Sequence, residues 1–187
     1  MTEDSLVTAP VALWHAEHSY FRRLLEFLHR EADRFQTGER PNYGLMLDVI
    51  SYLRDYGDTF HHPREDAAFD RLVKRCPELE LPVARLKRDH RVIALAGETL
   101  RKDLEAVLDG AVVPVKELEV AAVTYLVYYG NHIAKEEEDI LPRAAQVLTT
   151  EDWKSVAAAA PARHDPLFGP HPEQRFRELR RRIALDA

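Results

Sequence analysis

Apolar residues recur every three or four positions through most of the chain, the spacing of an α-helix with one buried face. No stretch sustains the two-residue alternation of a strand. Polar turns and prolines divide this pattern. A first helix is predicted from Ala9 to Phe35, ended by the turn Gln36 to Pro41. A second runs from Tyr43 to Arg75, with a kink expected at Pro63, where one backbone donor is missing. A third spans Pro82 to Asp109 and a fourth Pro114 to Val147, each with proline in its first turn. Thr150 is expected to cap a short helix reaching Ala159. Pro161 to Pro172 reads as a loop or strap, and Glu173 to Ala184 as a last amphipathic helix. Four long helices with short connections predict an all-α, up-down-up-down antiparallel four-helix bundle over residues 1–148. Residues 149–187 then form a C-terminal helical extension, its Phe176, Leu179 and Ile183 docking on the bundle or on a second subunit.

The inward stripe of each long helix is apolar except near its middle. The first reads Val11, His15, His18, Phe21, Leu25, Leu28; the second, Ile50, Leu53, Gly57, His61, Glu65, Ala68. The third reads Leu86, His90, Ile93, Gly97, Leu100; the fourth, Tyr125, Tyr129, His132, Glu136, Ile140. Counting outward from each turn, the two legs to successive histidines differ by roughly two residues, or about 3 Å at ~1.5 Å rise per residue. All four helices thus present histidine at nearly one height. Burying these imidazoles with two carboxylates and no counter-charge would be costly, and a divalent metal removes the cost. Nitrogen and oxygen donors suit iron, manganese or zinc. In His61-x-x-x-Glu65 and His132-x-x-x-Glu136 a terminal nitrogen and a bridging carboxylate lie one turn apart. Two bridging carboxylates imply two metals. Glu136 continues the core stripe, whereas Glu137 is rotated ~100° from it.

Composition narrows the function classes. The 187 residues carry a formal charge of −6, nine histidines and one cysteine. A lone Cys76 excludes an intrachain disulfide and thiolate-rich metal sites, and fits a reducing cytoplasm. The mild acidity argues against nucleic acid. No window approaches ~18 apolar residues, so no spanning helix is expected, nor is a signal peptide.

Four motifs, W-H-A-E-H, F-H-H-P-R-E-D, R-D-H-R-V-I and N-H-I-A-K-E-E-E-D-I-L-P, carry a resemblance to the hemerythrin-like, HHE cation-binding family over about residues 14 to 142. The resemblance implies a four-helix bundle with a non-haem diiron centre that binds oxygen or a related small ligand. His18, His61, Glu65, His90, His132 and Glu136 match its ligand positions. Oxygen carriers of this family have H-x-x-x-H on the third helix, but Ala94 follows His90 here; His15 or His62 would have to substitute. They also have H-x-x-x-x-D on the fourth, where this chain has Glu137. These departures suit members proposed to sense or detoxify oxygen, nitric oxide or peroxide, with electrons from an external donor, or to respond to iron. His15 is inward, so ligand and supporting partner are both open to it. His62 lies off the stripe beside Asp58 and Asp66, as a partly exposed, acid-paired histidine would. Tyr125 and Tyr129 read as core packing, and Gly57 and Gly97 as space for a small ligand or for helix contact. Iron storage, or a structural metal-binding bundle, needs the same ligands. A ferritin-like centre needs Glu-x-x-His pairs, which none of the stripe histidines has. A phosphotransfer histidine must be exposed, which a core position for His132 opposes.

Overall fold

The computed structural model describes residues 3–161 and 163–185, and within them it is helical with no strand. Helix α1 spans Glu3–Thr37 and α2 Tyr43–Tyr52; α2 passes through a π-helical stretch, Leu53–His61, into α3, His62–Arg75. Helix α4 spans Glu80–Leu108 and α5 Val115–Lys135; a second π-helical stretch, Glu136–Ile140, joins α5 to α6, Leu141–Val147. The extension carries α7, Thr150–Ala159, and α8, Arg177–Leu185.

Local chemistry explains most boundaries. Gly38 and Gly110 end α1 and α4 at φ 73° and 88°, a left-handed turn that suits a residue without Cβ. Asn42 caps α2, its side chain accepting from the Leu45 amide at 3.0 Å. Thr149, one residue before the cap expected, forms a reciprocal capping box with Asp152. Helix α1 begins six residues ahead of the predicted Ala9, because Pro10 removes one backbone bond without ending the helix.

Side-chain pairings give the helix directions. Along α1 and the second column Phe35 meets Tyr43, Phe21 meets Tyr52, and His18 meets His61. Arg54 pairs with Glu98 and Asp66 with His90. His90 meets His132, and Gly97 abuts Tyr125. In each set one number rises as the other falls, so sequence neighbours run antiparallel.

Two apolar clusters fill the interior. One, around Phe21, Met46, Ile50, Leu100 and Tyr125, occupies the end near the α1–α2 and α4–α5 turns. The other, around Trp14, Phe69, Leu86 and Leu141, lies at the opposite end. Between them sits a buried layer of His18, His61, His62, Glu65, His90, His132 and Glu136. The extension packs on this frame: Trp153 of α7 stands edge-on to Trp14 at 5.5 Å, and Phe176 contacts Tyr52 at 5.7 Å. Asp165 accepts from the Tyr52 hydroxyl at 3.0 Å, and Phe168 stacks on Tyr20 at 4.1 Å. No helix among the described residues is long and apolar enough to cross a membrane.

Gly57 and Gly97 do not line open space. A Cβ on Gly57 would lie 2.7 Å from the Tyr129 hydroxyl, and one on Gly97 would lie 2.9 Å from Tyr125 Cε2. The glycines accommodate the two fully buried tyrosines. Gly57→Ala is expected to destabilise the fold by ~1–2 kcal/mol, because overpacking outweighs the better helix propensity. Adding Tyr129→Phe, which removes the clashing oxygen, should recover most of that loss in denaturant melts.

Candidate metal centre

The second column shapes the site through its π turn. The His62 amide bonds the Gly57 carbonyl, five residues back rather than four. Pro63 follows directly: it has no amide to give, and its ring would crowd the carbonyl four residues earlier. Widening the preceding turn relieves that conflict. The same solution recurs where the Leu141 amide bonds the Glu136 carbonyl, just ahead of Pro142. Both widened turns fall at the buried acid–histidine layer, the usual setting of such interruptions.

The first consequence concerns His62. A regular 3.6-residue helix turns it away from the core, as the sequence suggested; in the structure it is buried and stacks on His90 at 4.2 Å. It therefore joins Glu65, His90 and His132 in one group whose donor atoms all lie within 4.8 Å of one another. A second group contains His18, His61 and Glu65. In it His18 Nε2 lies 2.9 Å from His61 Nε2 and 3.2 Å from Glu65 Oε1. Glu65 belongs to both groups, and Glu136 reaches a histidine of each. Glu65 turns Oε1 to His61 at 3.0 Å and Oε2 to His90 at 3.6 Å. Glu136 turns Oε2 to His18 at 3.5 Å and Oε1 to His132 at 3.1 Å.

Glu136 and Glu137 divide their roles as their rotation requires. Glu136 is fully buried in the layer. Glu137 sits behind it and accepts from His15 and His18 Nδ1, each at 3.2 Å, while pairing with Arg22. The His15 side chain is 45% exposed and lies outside both groups.

Behind the layer, a carboxylate faces the Nδ1 atom of four of the five buried histidines. His61 Nδ1 meets Glu17 at 2.6 Å, His18 meets Glu137, His90 meets Asp66 at 3.0 Å, and His62 lies 3.3 Å from Asp58. The three that are hydrogen-bonded, Glu17, Glu137 and Asp66, orient their imidazoles and leave Nε2 free for a metal; Asp58 accepts no hydrogen bond. Glu17 is itself held by Arg64, at 2.7 and 2.8 Å, and by the Tyr56 hydroxyl at 2.7 Å. Sequence reasoning missed Glu17 and Arg64, because their partners come from another helix. Only Asp58, four residues before His62, carried a spacing signal.

The electrostatics follow this arrangement. Burial opposes charge on Glu17, but His61 and Arg64 outweigh it and hold its pKa at about 2. Burial likewise opposes a proton on His61, yet Glu65 and Glu17 raise it to about 9. Burial and the neighbouring imidazoles His90 and His132 push His62 well below its usual range. Burial disfavours the Glu65 carboxylate, but His61 and His18 hold it well below the usual range.

The residues fit a bound cation. Nε2 of His62, His90 and His132, Oε2 of Glu65 and both Glu136 oxygens are buried without a hydrogen bond. Orphaned polar atoms of this number are costly unless something coordinates them, and the imidazole and carboxylate donors suit a divalent metal. The family described as hemerythrin HHE cation binding domain matches residues 9–144. The chain belongs to this family. No individually curated protein matches it. Its HHE motif is F-H-H-P-R-E-D, in which both adjacent histidines enter the buried layer, one in each group. Ala94, where the oxygen carriers have a histidine, is only half-buried.

Glu17→Ala would leave the Arg64 guanidinium buried without its acid and His61 Nδ1 without an acceptor. The expected loss is ~3 kcal/mol in denaturant unfolding and roughly 10- to 100-fold in metal affinity by competition with a chelator. Acid should act on the same pair. Because the folded pKa of Glu17 lies below its ordinary 4.5, its contribution is complete above pH 4.5. It is lost as pH falls toward about 2, so the acid-unfolding difference between wild type and Glu17→Gln should shrink across that window.

Proposed function

We propose that this HHE bundle holds two iron ions in a non-haem dinuclear centre and binds oxygen, nitric oxide or peroxide there. The observation that carries the reading is the double-sided use of Glu65 and Glu136, each with one oxygen toward each histidine group. His18 and His61 would hold one ion, His62, His90 and His132 the other, with both glutamates bridging. When bound, such a pair of ferrous ions supplies reducing equivalents and an open coordination position.

The protein's part is to position and exclude. Glu17, Glu137 and Asp66 orient the imidazoles of His61, His18 and His90 that would ligate. Two histidines in one group against three in the other leave the His18–His61 side with fewer donors, and that is where a small ligand would enter. Phe21, edge-on to His61 at 4.8 Å, and the buried Tyr129 keep bulk water from the layer. No titratable group outside the layer is needed for ligand binding, so the reading is of a binder, sensor or detoxifier fed by an external electron donor. His132 is 2% exposed, which speaks against a phosphotransfer role.

Reconstitution under anaerobic conditions, followed by metal analysis and optical spectra before and after oxygen, tests this. About two irons per chain are expected, falling below one in Glu65→Ala and Glu136→Ala. Fewer than one iron per wild-type chain, or manganese or zinc retained in preference to iron, would overturn the diiron reading. A spectrum reversed by removing oxygen would mark carriage; irreversible oxidation would mark sensing or detoxification.

A further inference from the structure

Helix α5 carries the chain's longest run without a charged side chain. From Val120 to Ala134 there is no Asp, Glu, Lys or Arg. The inward half of this run is core, and its outward half, apart from Thr124 and Asn131, is apolar as well: Val120 is 56%, Val123 43% and Val127 53% exposed. Next to them along the helix stands Tyr128, 44% exposed. A groove of ≈ 550 Å³ between α4 and α5 adjoins this face, lined in part by Thr99, Asp103, Glu117 and Val120. Singly exposed valines need no explanation, whereas a contiguous row of them does.

The row is bounded by opposite charges at equal distances. At ~100° per residue, Lys116, Val120, Val123, Val127, Asn131 and Ala134 fall within about 40° of one line along the helix, and Glu138 follows four residues on, in the widened Glu136–Ile140 stretch. Lys116 lies eleven residues before Val127 and Glu138 eleven after it, and both are exposed. On the α4 side of the line Glu117 lies ten residues before Val127 and Lys135 eight after. No side chain among these four makes an ion pair or hydrogen bond within the described residues.

Gly130 adds an independent observation. A glycine inside a helix costs about 1 kcal/mol relative to alanine, and a Cβ placed there would meet nothing within 4 Å. Nothing in the chain itself accounts for it, in contrast to Gly57 and Gly97.

We propose that the outer face of α5 is a self-association surface, on which a second copy of this chain packs antiparallel about a two-fold axis at Val127. That symmetry returns the same patch on both copies, so the face must complement itself. It does: Lys116 of each copy comes opposite Glu138 of the other, and Lys135 comes over the Glu117 and Asp103 side of the groove. Val123 of one copy lies over the Gly130–Asn131 step of the other, where the missing Gly130 side chain lets the backbones approach. Val127 packs against its own equivalent at the centre. The charges set the antiparallel register, since a parallel pairing would place lysine on lysine and glutamate on glutamate. The inference does not depend on which metal the centre holds.

Sedimentation equilibrium of the full chain tests it. Wild type is expected to dimerise, and Val127→Arg to be monomeric with unchanged helicity and metal content. Lys116→Glu alone should raise the dimer dissociation constant roughly tenfold, since it creates a like-charge pair at each end. Adding Glu138→Lys restores both pairs with reversed sign and should return the constant to within about twofold of wild type. A wild-type chain that stays monomeric up to ~1 mM, a dimer that survives Val127→Arg, or a double variant no tighter than Lys116→Glu alone would each overturn the proposal.

Discussion

Five imidazoles and two carboxylates are buried together at one level of a helical bundle, between two largely apolar clusters. The rest of the structure answers to that constraint. Each imidazole needs its inner nitrogen turned to the layer and its outer nitrogen satisfied elsewhere. For three of the five, His18, His61 and His90, a carboxylate from another helix takes the outer position. Glu17, the most deeply buried of these, needs a cation in turn, and Arg64 brings it from one turn beyond His61. The polar layer is therefore the centre of a network reaching from His61 through Glu17 to Arg64 and Tyr56. Removing a single member leaves a charge in a dry interior, which costs far more than the same change at the surface.

Helix regularity yields to the same constraint. An ordinary α-helix cannot turn both His61 and His62 toward the centre, because neighbours differ by ~100°. The widened turn before His62 brings the second histidine in, and Pro63 gives that turn a backbone reason to exist. The fourth column repeats the pairing of widened turn and proline around Glu136 and Pro142. In both columns the interruption lies at a shared carboxylate or its neighbouring histidine, so strain and chemistry coincide. Gly57 and Gly97 serve the adjoining layer, where two large buried tyrosines need backbone without side chains.

Outside the bundle's interior the chain shows two kinds of surface. The outer face of α5 carries no charge from Val120 to Ala134. Elsewhere the exterior carries internally paired charges, as with Arg101 between Glu98 and Glu105, or Glu178 with Arg181 and Arg182. An uncharged face on the helix that also carries His132 and leads to Glu136 links the metal layer to the outside through a single rigid element.

The sequence by itself determined the helical segments and the height of the histidines. Both are one-dimensional: apolar spacing marks a buried face, and counting residues from a turn measures distance along a rod. The same arithmetic correctly favoured Glu136 over Glu137 for the core, because rotation about one helix is also local. Tertiary structure alone decided the inward turn of His62, the half-exposed place of His15 and the supporting roles of Glu17, Asp66 and Glu137. These depend on how one helix is rotated against another and on a hydrogen bond displaced by one residue. Periodicity assumes a uniform helix, and it fails at the two turns where a proline and a buried polar layer together make the helix non-uniform.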